Sequence, residues 1–242
     1  MTIIRFPLLY LGAIAAADLI TALVNPIGGL AFHIVLLLLL VLHSSLAGEH
    51  PSHKLYLALS LAPLLRILSL SMPLTDIPRI YWYVIVAVPL MAGAFLVVRR
   101  LDFSLGEVGV ARSDIPLQLL MAGSTGYVLG LVGCYILGTP EPLVGSLGVN
   151  ETLLLPIILL IVTSFTEEII FRGVMQRSAM EALGAQGWIY VAVVFAILQI
   201  GYLSVFHFLF ALAIGLLFGW VVRETGSVLG VGLSHGIINI IL

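Results

Sequence analysis

Leu153-Leu154-Leu155-Pro156-Ile157-Ile158-Leu159-Leu160-Ile161-Val162-Thr163-Ser164-Phe165-Thr166-Glu167-Glu168-Ile169-Ile170-Phe171-Arg172 reads as a membrane helix, yet it ends in two carboxylates and a guanidinium. A charge at the centre of a bilayer helix costs roughly 3 kcal/mol or more, so such residues point to chemistry rather than anchoring. The rest of the chain is equally apolar. Of 242 residues, 61% are hydrophobic and 9% charged, and the mean hydropathy is +1.21. A soluble domain carries about 25% charged residues. The composition therefore predicts an all-α, polytopic helix bundle whose first partner is the lipid bilayer.

Working outward, a hydrocarbon core needs about 20 apolar residues per crossing. Nine segments meet or approach that length: 7–24, 29–47, 54–71, 80–98, 115–138, 152–176, 187–202, 204–222 and 227–242. They predict about eight to nine transmembrane helices, the seventh and ninth segments being short. The breaks carry turn chemistry, as in Asn25-Pro26-Ile27-Gly28-Gly29, Gly48-Glu49-His50-Pro51 and Gly138-Thr139-Pro140-Glu141-Pro142. The first segment follows Arg5 and lacks a small-residue cleavage pattern, so it is expected to stay as a signal-anchor helix.

Cationic residues orient the bundle. With the amino terminus in the cytoplasm, Arg5, Lys54, Arg99, Arg100, Arg112, Arg177 and Arg223 fall on the cytoplasmic side, and Arg79 alone falls outside. This predicts an integral protein of the plasma (inner) membrane. Residues 99–114 form the one substantial polar linker, expected to be an interfacial helix or loop because Leu101, Phe103, Leu105, Val108 and Val110 alternate with polar residues. It divides the chain into amino-terminal helices with the linker, 1–114, and a core of 115–242 where polar residues cluster. No basic stripe with interleaved aromatics is present, so nucleic acid is not an expected partner. The single cysteine, Cys134, excludes an intramolecular disulfide.

Three polar clusters occur in the last third. At about 100° per residue Glu168 and Arg172 share a helical face, while Glu167 points elsewhere. An ion pair between Glu168 and Arg172 leaves Glu167 the freer carboxylate, in a position to act as general base toward water. His235 and Asn239, four residues apart, share a face of the last segment and both donate hydrogen bonds, which suits a developing oxyanion. Phe195 and Gln199 place an amide on the seventh segment.

Glu-Glu-x-x-x-Arg, Phe-x-x-x-Gln and His-x-x-x-Asn on successive membrane segments resemble the motif set of the CPBP (Abi) intramembrane proteases, which include the CAAX prenyl endopeptidases. The resemblance covers roughly 152–242 and extends to the glycine-rich Gly215-Leu216-Leu217-Phe218-Gly219-Trp220 and the turn Arg223-Glu224-Thr225-Gly226-Ser227. It implies an endopeptidase acting on a membrane-associated peptide or protein, prenylated or not. Glu167 would activate water, Glu168 and Arg172 would shape the site, and His235 and Asn239 would hold the oxyanion. The family's middle histidine is replaced by Gln199, which cannot shuttle a proton near neutral pH. His207, eight residues on, is the candidate substitute. The alternative reading is a catalytically impaired member that serves as scaffold, immunity factor or partner-binding membrane protein. A small transporter is the third, disfavoured because no inverted repeat is visible.

Blander readings attach to several of these residues. Glu168 with Arg172 also reads as a buried ion pair, and His235 with Asn239 as interhelical hydrogen bonding. Asp18 and Arg66 are intramembrane charges that a mutual pair or snorkelling explains. His43, His50 and His53, near Glu49, fit no metal spacing, and Asn150-Glu151-Thr152 is a common three-residue sequon. No cofactor is expected outright. A divalent metal such as zinc stays open, since Glu167, Glu168, His207 and His235 are ligand types without a His-Glu-x-x-His pattern.

Overall fold

The computed structural model describes residues 5–48, 50, 52–72, 77, 79–110, 114–138 and 154–242. The expected turn at 139–142, the sequon at 150–152, Glu49 and Arg112 lie outside them. Every regular element among the described residues is helical: α1 (Arg5–Leu23), α2 (Pro26–Leu46), α3 (Ser52–Leu59), α4 (Leu61–Ser71), α5 (Arg79–Arg100), α6 (Ile115–Leu137), α7 (Leu154–Glu168), a π-helical segment (Ile169–Met175), α8 (Gln176–Leu183), α9 (Gly187–Ile197), a 3₁₀ turn (Ile200–Tyr202), α10 (Val205–Thr225) and α11 (Leu229–Ile241). The protein is an all-α membrane helix bundle.

Helix boundaries follow local chemistry. Asn25 caps α2 by accepting from Ile27 and Gly28, with Pro26 at the first helical position, where its missing N–H costs nothing. Asp114 caps α6 and Ser204 caps α10 in the same way, and Gly226 ends α10 in the left-handed conformation that glycine tolerates. The third predicted segment breaks into α3 and α4 at Ser60. Pro63 explains this: it has no N–H for the carbonyl of Leu59 and its ring crowds that turn.

Six helical stretches among the described residues are long and apolar enough to cross a membrane: Phe6–Leu23, Pro26–Leu46, Ser52–Ser71, Tyr81–Arg100, Ile115–Leu137 and Val205–Thr225. The sixth predicted segment runs on past 176, as α7, the π segment and α8, to Leu183. The seventh and ninth stay short. At 1.5 Å per residue the 13 residues of α11 reach about 20 Å, less than a bilayer core.

These short helices are held by neighbours. Helix α11 packs between α6 and α7. Gly126, Gly130 and Gly133 on α6 meet Ile237, Ile241 and Leu242, where a β-carbon at Gly126 would come within 2.9 Å of the Ser234 carbonyl oxygen. Small residues of this kind let membrane helices approach closely. Helices α9 and α10 form a hairpin, with Gly215 lying on Ala192. The amino-terminal helices reach the same core: α3 packs on α8, and Tyr190 of α9 donates to the carbonyl of Pro7 at 2.9 Å.

Arg99 and Arg100 of the polar linker close α5, and its residues 101–110 form turns. Leu101, Phe103 and Val108 are buried in the core, while Leu105 and Val110 are exposed. Its carbonyl at Gly109 accepts from Val228 at 3.0 Å. A β-carbon at Gly173 would stand 2.6 Å from the Val108 carbonyl oxygen, so glycine there lets the linker lie directly on the π segment.

Candidate active site

Thr166-Glu167-Glu168 close α7, and the π segment begins at the next residue. A π turn widens the helix locally and is found mostly as an isolated bulge at functional sites. Arg172 lies within it, and both Glu168 and Arg172 are buried. Arg172 donates from Nη1 to Glu168 Oε1 at 3.2 Å, and its Nε lies 3.1 Å from Oε2. Three aromatic rings enclose the guanidinium: Phe195 at 4.4 Å, Phe171 at 5.7 Å and Phe218 at 5.8 Å. Cation–π attraction adds to the ion pair in such a cage, and more so where water is excluded.

Helix α11 brings His235 against both glutamates. Its Nδ1 is 2.8 Å from Glu168 Oε1, and its Nε2 is 3.9 Å from Glu167 Oε2. With Glu168 also bound to Arg172, the geometry places the Nδ1 proton on the Glu168 side. Neutral His235 then offers a lone pair at Nε2, and the protonated form offers a second donor there. The two carboxylates differ in access. The Glu168 side chain is fully buried, whereas that of Glu167 is 34% exposed. One carboxylate is spent on Arg172 and the other is free.

Asn239 sits one turn further along α11 and donates from Nδ2 to Ser164 Oγ at 3.0 Å. Ser164 is one turn before Glu168 on α7, and its hydroxyl in turn donates to Leu160 at 2.7 Å. Gln199 and His207 stand apart. Gln199 lies between the end of α9 and the 3₁₀ turn, and its side chain makes no hydrogen bond to the described residues. His207 stacks on Tyr202, ring centroids 4.5 Å apart, with Nδ1 buried and without a protein partner. Neither has a hydrogen bond or ion pair to Glu167, Glu168 or His235.

The structure thus joins Glu167, Glu168, Arg172 and His235, with Asn239 next door through Ser164. Sequence reasoning missed Ser164 and the Phe171, Phe195 and Phe218 cage. Ser164 carried a findable signal, standing four residues before Glu168. Phe195 and Phe218 stood in the quoted motifs, but nothing in the sequence shows that rings from three separate elements meet around Arg172. Among the described residues no group of three or more His, Cys, Asp or Glu is arranged to hold a metal ion. The other intramembrane charges form their own cluster: Arg66 donates from Nε to Asp18 Oδ1 at 2.6 Å, and His33 Nε2 lies 3.6 Å from the same oxygen. His43 stacks on Tyr56, 4.1 Å between centroids, and lies 2.9 Å from the Tyr10 hydroxyl.

No curated protein and no solved structure matches the chain. A family model described as type II CAAX prenyl endopeptidase Rce1-like matches residues 149–241, well under half of the 242 residues. That stretch carries both glutamates, Arg172, His235 and Asn239, and the similarity of the carboxy-terminal region to the type II CAAX prenyl endopeptidase Rce1-like family falls on the residues that form the site.

Proposed function

We propose that the protein is an intramembrane endopeptidase that hydrolyses a peptide bond of a membrane-associated substrate through a water activated by Glu167. The observation that carries this reading is His235 standing between two carboxylates, 2.8 Å from buried Glu168 and 3.9 Å from part-exposed Glu167. A gap of 3.9 Å is too long for a direct hydrogen bond and suits a bridging water.

In this reading Glu167 removes a proton as the water attacks the peptide carbonyl carbon. The carbonyl π electrons move to oxygen, and the resulting oxyanion is met by donors from α11. Asn239 has a second Nδ2 hydrogen beyond the one given to Ser164, and protonated His235 donates from Nε2. Glu167 then returns the proton to the leaving nitrogen as the C–N bond breaks. Arg172 holds the Glu168 carboxylate in place, and Glu168 holds the ring of His235; both are positioning residues. Any metal remains a proposal without a ligand set among the described residues. Membrane orientation, with the amino terminus in the cytoplasm, is part of the same proposal, supported by the asymmetry of Lys and Arg.

The test is cleavage of a membrane-anchored peptide by purified protein in liposomes, with products identified by mass spectrometry. Glu167→Gln keeps the shape and removes the base, so cleavage is expected to fall at least about a hundredfold. Wild-type cleavage by that variant overturns the mechanism. A second reading is favoured by the isolation of Gln199 and His207 from the glutamates: a partner-binding member that has lost proton transfer. It expects no cleavage by wild type and an intact cellular phenotype in Glu167→Gln.

A further inference from the structure

Helix α11 carries His235 and Asn239, yet it is only 13 residues long and its N-cap residue, Val228, supplies no capping side chain. The first N–H groups of a helix need partners from outside it. Ser227 Oγ accepts from Leu229 at 3.3 Å, and Oε1 of Gln118 accepts from Gly230 at 2.8 Å. Gln118 belongs to α6 and is 2% exposed. A β-carbon at Gly230 would stand 2.4 Å from that same oxygen, so glycine lets the amide seat directly on the helix end. About 24 Å further along α6, Cys134 donates its S–H to the Ile241 carbonyl at 3.3 Å. One helix thus grips α11 at both ends.

Between the ends the contacts are largely glycine. On α6, Gly126 and Gly130 face Ser234, Ile237 and Ile241; on α11, Gly232 and Gly236 face Phe165 and Ile161 of α7. Such contacts bring helices close but leave few ridges to interlock, so they resist sliding along the axis poorly. Directional bonds must then set the register. Those made to α7, His235 with Glu168 and Asn239 with Ser164, involve the side chains whose partners the proposed reaction changes. The bonds to Gln118 and Cys134 take no part in it.

We propose that Gln118 is a positioning residue: by holding Gly230 it fixes the axial register of α11, and with it the gap between His235 and Glu167. Gln118 lies outside residues 149–241, so the working site extends to α6. The register claim is independent of hydrolysis; its effect on rate rests on the hydrolytic reading above. A misplacement of about 1 Å at a reacting centre can cost about a hundredfold in rate.

The experiment uses full-length protein in liposomes. The register is read first, by oxidant-driven cross-linking of Ser164→Cys with Asn239→Cys in a Cys134→Ser background, where serine keeps a donor for Ile241. Disulfides form only across a narrow range of separations, so Gln118→Met is expected to slow cross-linking about tenfold. Gln118→Glu keeps an oxygen for the Gly230 N–H and is expected to restore the rate to within about threefold, a carboxylate being favoured at a helix N-terminus. Cross-linking as fast with Gln118→Met as with glutamine overturns the proposal, whether or not any peptide is cleaved. Peptide cleavage is then measured without the added cysteines and normalised to folded protein. Gln118→Met is expected to lower kcat about tenfold with KM unchanged, and Gln118→Glu to recover it. A lower folded fraction with wild-type kcat contradicts the positioning role. Gly230→Ala displaces the Gln118 amide from the other side and is expected to reproduce both effects, so it carries the test if Gln118→Met fails to fold. If wild type cleaves no peptide, the hydrolytic reading falls and the cross-linking comparison still decides the register.

Discussion

Among the described residues two buried ionic clusters lie in this bundle, and their stoichiometry separates them. In the amino-terminal helices one carboxylate, Asp18, meets one guanidinium, Arg66, with His33 alongside. In the carboxy-terminal region two carboxylates share a cluster with one guanidinium, which pairs with Glu168, and a histidine lies between them, 2.8 Å from Glu168 and 3.9 Å from Glu167. Burying ions costs several kcal/mol each and is offset only by good pairing. A one-to-one pair cancels its charge and has nothing left to react. A two-to-one cluster leaves Glu167 over, part-exposed beside His235. The excess carboxylate is what a purely structural ion pair has no use for.

The comparison can be broken at several points. Arg172→Met removes the guanidinium paired with Glu168 and strands a buried charge. The expected cost is about 3–5 kcal/mol, read as a lower thermal midpoint in detergent, with cleavage lost in the fraction that stays folded. An unchanged midpoint would mean that the caging rings, rather than the ion pair, hold the segment. Gly173→Ala pushes a methyl toward the Val108 carbonyl and is expected to cost about 1–3 kcal/mol. Proteolytic nicking within 101–110 should rise with it, and full resistance would contradict the close packing of the linker. Gln199→His tests whether the natural chain lacks a proton carrier. The structure keeps Gln199 out of contact with the glutamates, so the rate should change by less than about tenfold, or about 1.4 kcal/mol. A larger gain in cleavage would bring Gln199 into the site. The smallest effect is Ser204→Ala at the cap of α10, expected to cost about 1 kcal/mol and to leave the relative rates of all other variants unchanged.

Much of this was readable beforehand, for physical reasons. The long spans announce themselves because lipid demands about 20 apolar residues, and Glu167, Glu168 and Arg172 stand out against them. Spacing alone joined Glu168 to Arg172. It could not reveal that residues 169–175 wind as a π helix, because that choice depends on tertiary packing against Phe195, Phe218 and the linker. The alternation in 99–114 suggested a surface element; the structure buries Leu101, Phe103 and Val108, with Val108 lying directly on Gly173 of the π segment and Phe103 beneath Lys54 and Arg177. His235 and Asn239 share a face as expected, but only the position of α11 against α7 decides that one reaches the glutamates and the other Ser164.

The most direct measurement sets the two clusters side by side. Wild type, Glu167→Gln and Asp18→Asn are assayed on one membrane-anchored peptide, with each rate normalised to folded protein. The account predicts at least about a hundredfold loss for Glu167→Gln and a rate within about threefold of wild type for Asp18→Asn, whose cost appears in stability. Equal losses in the two variants, or wild-type cleavage by Glu167→Gln, would contradict it.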